Sequence, residues 1–292
     1  MSAFVYWNGS IIPESEAAVG IHDGAWLHGA GLFETMLAEN GRIFRLEAHV
    51  ERLRKSAEKL LRPIEREVLP TRDRLEALLS QNAHESARVR LTVSSGSMRG
   101  SEADQAPPWT ICATTAPLTE YPSSLYETGI HVIICPYKQN VDDPIVGHKV
   151  TAYLSRLMGL RRAQEARCME AIWFTTKNEL AEGSIANVFL VRGGVLYTPP
   201  LETPVLPGIV RATVLELARK LDIVAEERRL FIADLLDAGE CFLTNSIQGI
   251  MPVIRVERHD VGDGLVGTVT TKLRQAYRDL VKAECAGSPR PP

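Results

Sequence analysis

The stretch VGHKVTAYLSRLM, from Val146 to Met158, decides how this chain is interpreted. Lys149 lies two residues after Gly147 and ahead of an apolar pattern with helical spacing. Only eight of the 33 basic residues are lysines, and most of the others fall in evidently solvated segments. A half-buried lysine readily loses its charge and becomes a nucleophilic amine. The stretch therefore predicts either a lysine that forms an imine with a carbonyl compound or an ordinary surface lysine near a helix start.

The composition is that of a globular protein and narrows the class of partner. The chain has 292 residues, of which 45% are hydrophobic and 24% charged, so two domains or one large domain are expected. The formal net charge is −3 and no block of lysine and arginine is dense enough to follow a phosphate backbone, which argues against nucleic acid as a partner. No apolar run reaches the length of a membrane span or a signal peptide, so small-molecule partners are favoured over a membrane.

The cysteines carry no recognisable metal or disulfide pattern. Their number is odd, they are widely spaced, and no CxxC pair is present. We therefore expect no zinc site, no metal and no disulfide framework, and a reducing cytoplasm as the location. The five residues are Cys112, Cys135, Cys168, Cys241 and Cys285.

Helical and strand patterns alternate along the whole chain, with hairpins more frequent than strand–helix–strand units, which predicts an α+β fold. The dipeptide Asn40-Gly41 predicts a tight hairpin turn. The segment 117–129 is rich in proline, serine and glycine and is the candidate linker. These features predict a small N-terminal domain over residues 1–118, a linker over 119–129 and a larger domain over 130–292.

Several polar residues are embedded in otherwise apolar segments, although no Walker loop, GxGxxG, HExxH or GxSxG motif is present. Glu182 precedes the buried-strand pattern NVFLV and could hold a positive charge, or could close a hairpin turn. Arg52 could reach an anion from a helix or could be an exposed helical arginine. Gly208 lies at a predicted helix start, where backbone amides bind anions, and TNSIQG offers Asn245 and Ser246.

Taken together, these residues form a recognisable set of functional groups. The set contains an amine nucleophile, a carboxylate for a ring nitrogen and three separate phosphate donors. This is the inventory required to hold pyridoxal 5′-phosphate, whose electronic properties a protein tunes through such contacts. The sequence therefore predicts a pyridoxal-phosphate site.

The chain resembles the class IV aminotransferases, the fold-type IV family of pyridoxal-phosphate enzymes. That family includes branched-chain aminotransferases, D-amino-acid aminotransferases, R-selective amine transaminases and aminodeoxychorismate lyases. The resemblance extends over nearly the whole chain, from WNGSII to IMPV, and any single landmark would be a weak signal by itself. The landmarks, in order, are HDGAWLHGAGLFET, FRLEAHVERL, HKVTAYLSRL, EGSIANVFLV, YTPPLETPVLPGIVR and LTNSIQGIMPV.

The resemblance implies a role for each cofactor-binding residue. Lys149 would form the Schiff base with the cofactor and carry the proton. Glu182 would pair with the pyridine nitrogen of the cofactor, and Tyr153 would form a hydrogen bond with its phenolic oxygen. The phosphate would be held by Arg52, by the amides of Ile209 and Val210, and by the region of Asn245 and Ser246. The resemblance also implies a two-domain α+β fold with the cofactor between the domains. It further implies a homodimer, in which loops of one small domain cover the partner's site.

The residues that would select the substrate do not all match the pattern of one branch of the family. Phe33 and Glu34 lie in GLFET, the family's pocket-lining strand, and Arg90 stands where branched-chain enzymes have a pocket arginine. His28 stands where branched-chain enzymes and many lyases carry a tyrosine. Arg99 lies in MRGSEAD and is not followed by a histidine, so the arginine–histidine pair of D-amino-acid aminotransferases is not evident.

Three functions stay open from the sequence. The first is an aminotransferase acting on branched-chain or small aliphatic amino acids and 2-oxo acids. The second is aminodeoxychorismate lyase, which eliminates pyruvate and gives 4-aminobenzoate. The third is a non-catalytic cofactor-binding protein, which the presence of both Lys149 and Glu182 disfavours.

Overall fold

The computed structural model describes residues 3–98, 108–118 and 121–286. The chain divides into two compact units. The first comprises the described residues up to 118, the segment Lys149–Tyr153 and the residues from Val281 on, whereas the second comprises 121–148 and Leu154–Leu280.

The first unit is built around a six-stranded antiparallel sheet. Its strands are β1 (Phe4–Trp7), β2 (Ser10–Pro13), β3 (Gly31–Glu39), β4 (Arg42–Ile43), β5 (Ala87–Ser94) and β6 (Thr110–Pro117). They lie side by side in the order β2-β1-β6-β5-β3-β4. Alternate residues of β5 are buried because successive side chains of a strand point to opposite faces.

Three helices accompany this sheet: α1 (Gly24–His28), α2 (Leu46–Leu60) and α3 (Arg72–Gln81). Val50, Leu53 and Ala57 recur at helical spacing on α2 and are buried in the hydrophobic core of the unit. The side chain of Thr71 caps α3 by accepting a hydrogen bond from the backbone N–H of Arg74. Helices α2 and α3 thus form where the apolar period and the capping residue indicate a helix.

The predicted hairpin at Asn40-Gly41 is confirmed. Glu39 pairs with Arg42, so β3 and β4 are joined by a two-residue turn. Both turn residues have positive φ, 53° for Asn40 and 71° for Gly41, which is the geometry that favours asparagine and glycine in such turns.

The second unit contains a nine-stranded mixed sheet. Its strands are β7 (Ile130–Gln139), β8 (Glu170–Thr175), β9 (Leu180–Gly183), β10 (Asn187–Arg192), β11 (Val195–Thr198), β12 (Ala225–Glu227), β13 (Glu240–Asn245), β14 (Gly249–Val256) and β15 (His259–Asp260). They follow the order β12-β11-β10-β13-β14-β7-β8-β9, with β15 on β14. Three of the pairs are parallel, β11 with β12, β14 with β7 and β7 with β8, and the others are antiparallel.

The remaining helices are α4 (Ser123–Thr128), α5 (Leu154–Glu165), α6 (Ile209–Lys220), α7 (Ile232–Leu236) and α8 (Thr268–Glu284). Strands β10 and β13 pack a stacked aromatic pair, Phe189 on Phe242, with ring centroids 5.0 Å apart. Within the described part of the chain, none of the helices combines the length and the apolar character that crossing a membrane requires.

Part of the predicted linker is helical. Residues 123–128 form α4, and its Tyr126 hydroxyl donates to the carbonyl of Gln248 at 2.9 Å. Leu125 and Tyr126 pack against the core of the second unit. The composition misled the prediction because Pro122 takes the N-cap position of the helix and Gly129, with φ 74°, ends it.

The division into units also differs from the expected boundaries, which placed all of 130–292 in one domain. Lys149–Tyr153 belongs to the first unit, and the division cuts α8 after Leu280. The physical reason for the first difference is backbone hydrogen bonding. Thr151 donates its N–H to the carbonyl of Gly31 at 2.8 Å, so this short segment lies along β3.

Candidate active site

Lys149 is positioned through its backbone on the edge of β3. The N–H of Phe33 donates to the carbonyl of Lys149 at 2.9 Å, and Val150 forms an isolated antiparallel bridge with Leu32. Strand β4 pairs only with the far end of β3, at Ala38 and Glu39, so the near end of that edge accepts this segment. The lysine is therefore fixed by main-chain contacts that do not depend on its side chain.

Three of the predicted residues, Lys149, Arg90 and Tyr153, meet around the ring of Phe33. The Nζ atom of Lys149 lies 4.5 Å from the centroid of that ring, and the guanidinium carbon of Arg90 lies 3.9 Å from it. Tyr153 packs edge-on against Phe33, with centroids 5.3 Å apart. Burial, assisted by the charge of Arg88, lowers the pKa of the Arg90 guanidinium. Two cationic side chains, Lys149 and Arg90, thus contact one aromatic ring.

Arg52 lies in a second cluster of the same unit. Its Nε donates to Oε1 of Glu34 at 2.9 Å, and one of its Nη atoms donates to Oε2 at 2.5 Å. His49 Nδ1 also lies 2.7 Å from Oε2 of Glu34. Because neighbours on a strand point to opposite faces, Glu34 faces α2 while Phe33 faces away from it. The phosphate role that the resemblance implies for Arg52 stays a prediction, and the structure supplies the carboxylate that orients it.

The protonation state of this cluster follows from burial and charge. Burial alone would raise the pKa of Glu34, but the Arg52 charge and the His49 hydrogen bond outweigh it and lower the pKa from 4.5 to about 2. Burial lowers the pKa of His49, and the charges of Arg52 and Lys149 lower it further against the opposing effect of Glu34. A lowered carboxyl pKa stabilises the fold above pH 4.5, and that contribution is lost as the pH falls through about 2.

Of the two remaining substrate candidates, His28 lies among the described residues. His28 is the last residue of α1 and its side chain is exposed. Gly29, which follows it with φ 69°, leaves no room for a side chain, because a Cβ there would lie 2.9 Å from the Cβ of Ala152. The chain therefore passes close to the segment that carries Lys149. Arg99 lies outside the described residues.

In the second unit, Glu182 lies on β9 and is 6% exposed, so it is a buried strand residue and not a turn residue. Its Oε1 accepts a hydrogen bond from Nη2 of Arg156 at 2.7 Å. Its Oε2 accepts from Nδ2 of Asn187 at 3.3 Å and from the backbone N–H of Leu206 at 3.0 Å. Both oxygens are thus held by donors, which fixes the plane of the carboxylate.

A second buried carboxylate secures the loop that follows Glu182. Glu170 accepts hydrogen bonds from the backbone N–H groups of Ala171, Ser184 and Ile185 at 2.8, 3.0 and 3.2 Å. Burial raises the pKa of the Glu170 carboxyl, and these hydrogen bonds oppose the rise. The segment EGSIA is therefore anchored just after Glu182, at Ser184 and Ile185.

The N-terminus of α6 adjoins this carboxylate through Asn187. The helix begins at Ile209, followed by Val210, with Gly208 at the N-cap and no side chain capping it. A Cβ at Gly208 would lie 1.9 Å from Oδ1 of Asn187, so a larger residue there would displace the Asn187 side chain. The free N–H groups of the first helical turn are the donors that bind phosphate groups.

The turn after β13 contains Asn245 and Ser246. The Asn245 side-chain oxygen accepts from the N–H groups of Ile247 and Gln248 at 2.9 and 2.8 Å, and its Nδ2 donates to the Gln248 side chain at 2.8 Å. The Asn245 side chain thus shapes the turn internally. Ser246 and the backbone are the better candidates for contact with an anion at this turn.

The described part of the second unit contains buried polar atoms that lack a hydrogen-bond partner, among them Thr203 Oγ1, Thr244 Oγ1 and Arg156 Nη1. Such atoms cost free energy unless something satisfies them. Thr244 pairs with Asn187 across the sheet, Thr203 precedes the loop that donates to Glu182, and Arg156 contacts Glu182 itself. A carboxylate, a helix N-terminus and unsatisfied hydroxyls in adjoining segments fit a phosphorylated ring with a basic nitrogen.

Sequence reasoning placed Glu34 on the pocket-lining strand without its contacts to His49 and Arg52. It missed three residues that the structure brings into these clusters: His49, Arg156 and Asn187. Two signals were present. His49 and Arg52 are three residues apart and therefore share a helix face. Arg156 follows Tyr153 by three residues within the stretch that contains Lys149.

Comparisons with known proteins identify the family of this chain. The family profile described as "Amino-transferase class IV" matches residues 31–256. A putative branched-chain-amino-acid aminotransferase of Methanocaldococcus jannaschii is 31% identical over 280 residues, covering 94% of this chain and 96% of the relative. An aminodeoxychorismate lyase of Bacillus subtilis is 29% identical over 282 residues, covering 95% and 94%. The branched-chain amino acid aminotransferase of Escherichia coli superposes with a TM-score of 0.88 at 26% identity, covering 97% of this chain and 96% of that structure.

The fold is accordingly that of fold-type IV, a two-domain mixture of helices and strands. The chain belongs to the class IV aminotransferase family, whose members are pyridoxal-phosphate-dependent enzymes. The resemblance inferred from the six landmark segments is thereby confirmed, and so is the prediction that the protein is an enzyme.

Proposed function

We propose that this chain is an aminotransferase that moves an amino group between a branched-chain or small aliphatic amino acid and a 2-oxo acid. The observation that carries the proposal is the cluster around Phe33, where the Lys149 amine and the Arg90 guanidinium contact one aromatic ring. An amine beside apolar rings suits covalent chemistry, and a nearby guanidinium suits a substrate carboxylate. The branched-chain activity named for the M. jannaschii relative supports the substrate class.

We propose that the cofactor is pyridoxal 5′-phosphate, attached to Lys149. When bound, it supplies an electron-withdrawing ring that stabilises negative charge at the α-carbon of a substrate. The Nζ atom of Lys149 would take and return the α-proton as a general base and acid. Glu182 would accept a hydrogen bond from the ring nitrogen, and Tyr153 would donate one to the phenolic oxygen. Lys149, Glu182 and Tyr153 are assigned these roles on the resemblance and on their contacts.

The phosphate donors are proposed on the resemblance to the family. Arg52 supplies a guanidinium that Glu34 orients, and the N–H groups of Ile209 and Val210 supply the helix N-terminus. Ser246 contributes from the turn that the Asn245 side chain shapes. A guanidinium and the N–H groups at a helix N-terminus are both groups that recognise a phosphate.

The proposed substrate pocket is lined by Phe33 and Arg90, with His28 and Arg99 as further candidates from the sequence. Arg90 would hold the substrate carboxylate, and Phe33 would contact its aliphatic side chain. The lyase reaction is the second candidate, and it is favoured by the B. subtilis aminodeoxychorismate lyase at 29% identity.

A panel of amino donors tests the proposed reaction. L-leucine, L-alanine, D-alanine and R-1-phenylethylamine are added separately to the yellow protein, and the cofactor absorption band is followed. We expect L-leucine to convert the band to that of the aminated cofactor fastest. A lyase would respond weakly to all four compounds and would release 4-aminobenzoate from aminodeoxychorismate, an outcome that would overturn the aminotransferase proposal.

Two arginines of β5 provide the matched controls for this panel. Arg90→Gln is expected to weaken the response to the three amino acids but not to R-1-phenylethylamine, which has no carboxylate. Arg88→Gln, an exposed neighbour two residues away, is expected to respond as the parent enzyme. Equal loss for the amine and the amino acids in Arg90→Gln would contradict a carboxylate-binding role.

We propose a homodimer as the minimal active unit. Exposed apolar side chains support it in each unit considered separately. Ile21 and Trp26 are each 73% exposed in the first unit. Leu154, Leu157 and Met158 are exposed in the second, and their spacing places them on one face of α5. A monomer rarely leaves such patches uncovered, and an obligate interface would bury roughly 2,000 Å² or more in total.

Light scattering with parallel activity measurements at nanomolar concentration tests the dimer. We expect dilution to reduce activity and mass together, because dissociation uncovers the shared site. Trp26→Asp and Leu157→Asp should produce monomers with lost activity, whereas Leu265→Asp, which is exposed on a loop, should change neither. A fully active monomer would overturn the proposal.

The proposed partners are small-molecule substrates, and the proposed location is the cytoplasm. The five cysteines are free thiols, three of them buried. Burial raises the pKa of the Cys241 thiol to about 12 and contributes most to raising that of Cys285 to about 11, so these thiols are poor nucleophiles. Unpaired thiols of this kind persist in a reducing compartment.

A further inference from the structure

Glu182 is paired with an arginine that neither the family comparison nor the sequence singled out. Nη2 of Arg156 lies 2.7 Å from Oε1 of Glu182, and the two side chains are 15% and 7% exposed. Arg156 lies in the first turn of α5 and Glu182 on β9, so the pair joins two elements of the second unit. The contact is therefore a largely buried ion pair.

Arg156 is itself held in place by the residues around it. The same Nη2 atom donates to Oε1 of Gln139 at 2.6 Å, and the guanidinium lies 4.9 Å from the ring centroid of Trp173. Trp173 is fixed in turn, because its Nε1 donates to the Ser184 hydroxyl at 2.9 Å. Gly159 makes room for the indole, since a Cβ there would lie 2.7 Å from it. Such support is not expected for a surface arginine, which is usually mobile.

We infer that Arg156 is a positioning residue that keeps Glu182 ionised and in one orientation toward the cofactor's ring nitrogen. The inference rests on the proposed role of Glu182. A guanidinium is always charged at physiological pH, so it favours the ionised form of a carboxylate that it touches. Asn187 and Leu206 hold the other oxygen, so the carboxylate cannot rotate without breaking three hydrogen bonds.

The chemical consequence concerns a shared proton. A carboxylate that is stabilised as an anion is a weaker base, so it accepts a hydrogen bond from a ring N–H without removing the proton. Arg156 thereby keeps that proton on the ring nitrogen. Without the arginine, a buried carboxylate holds its proton more tightly and competes for it.

The test measures the ring nitrogen directly. The holoenzyme is prepared with cofactor labelled with ¹⁵N in the ring, and the nitrogen chemical shift is followed by NMR from pH 6 to 9. We expect a protonated nitrogen in the parent enzyme and in R156K, which retains the charge. In R156Q the protonation equilibrium is expected to shift at least about tenfold toward the neutral ring, or about one pKa unit.

Control variants separate this effect from a general loss of structure. R161M removes an 80%-exposed arginine of the same helix and should match the parent enzyme. If R156Q yields too little folded protein, Gln139→Leu removes one support of Arg156 without touching Glu182 and should give a smaller shift in the same direction. An unchanged nitrogen signal in the folded R156Q enzyme, or in Gln139→Leu where it replaces R156Q, would overturn the inference.

A double-mutant cycle distinguishes failure of the inference from failure of the proposed function. If Arg156 acts through Glu182, R156Q should slow the half-reaction at least about tenfold in the parent but less than about threefold in Glu182→Gln. Equal slowing in both backgrounds would show that Arg156 acts independently of Glu182. No slowing by Glu182→Gln alone would overturn the role of Glu182 itself.

Discussion

Replacing Lys149 with alanine is expected to reduce turnover by several orders of magnitude while the chain stays folded and still binds pyridoxal 5′-phosphate noncovalently. The loss is large because one side chain is proposed to serve as both nucleophile and proton carrier. The fold should survive because the contacts that hold this segment, Phe33 N–H to the Lys149 carbonyl and the bridge between Val150 and Leu32, involve only the backbone.

Borohydride reduction followed by peptide mapping checks this prediction on the parent enzyme. The reduced cofactor should be found on the peptide that contains Lys149 and on no other. Lys55, 74% exposed on α2, provides a matched control, and its alanine variant should retain both colour and turnover. A reduced cofactor attached to another lysine would refute the assignment.

The sequence predicted the parts of this protein that depend on local pattern. The hairpin at Asn40-Gly41 follows from turn chemistry, and α2 follows from apolar residues at helical spacing. The family was recognised from six ordered segments, and each segment is a short motif of residues that are neighbours in the chain. Such features are readable because the residues that determine them are neighbours in the chain.

The parts that escaped prediction depend on contacts between residues distant in sequence. Glu34 reaches His49 and Arg52 only because β3 packs under α2. Asn187 belongs to the site because its side chain donates hydrogen bonds to Glu182 and to the Leu206 carbonyl, which lie on different segments. Neither a periodic pattern nor a motif in the sequence indicates such contacts between distant residues.

The predicted linker also shows that sequence patterns cannot be interpreted without knowledge of distant contacts. Its proline and glycine were interpreted as signs of an open connection, although they flank α4. Their meaning depends on whether an apolar surface is available to the residues between them, and Leu125 and Tyr126 find one in the core of the second unit. Composition alone cannot distinguish these two cases.

Replacing Glu182 with glutamine is the second variant for which we expect a large effect. A hydrogen bond between a carboxylate and a ring N–H is charge-assisted and contributes roughly 1.5–3 kcal/mol. Loss of that contribution in the transition state corresponds to a half-reaction slowed by about ten- to 150-fold. Cofactor retention should fall less, because the proposed phosphate donors are separate from Glu182.

Glutamine also disturbs the surroundings in a defined way. Glu182 receives donors on both oxygens, from Arg156 on one side and from Asn187 and Leu206 on the other. An amide has one oxygen, so its NH₂ group must face a donor in either orientation. Breaking a buried ion pair typically costs about 3–5 kcal/mol of folding stability, so the thermal midpoint must be measured beside the rate.

Glu170→Gln is the control that separates a loss of stability from a loss of function. Glu170 is also a buried carboxylate of the second unit, but it accepts hydrogen bonds from the backbone N–H groups of Ala171, Ser184 and Ile185 and from the Ser184 side chain. Its glutamine variant should lower the thermal midpoint and leave the half-reaction rate within about threefold of the parent, since small rate changes accompany most structural perturbations. Rates that fall equally in both variants would mean that Glu182 acts only through the fold. A rate that falls only in Glu182→Gln would identify the contact of Glu182 with the cofactor as the cause.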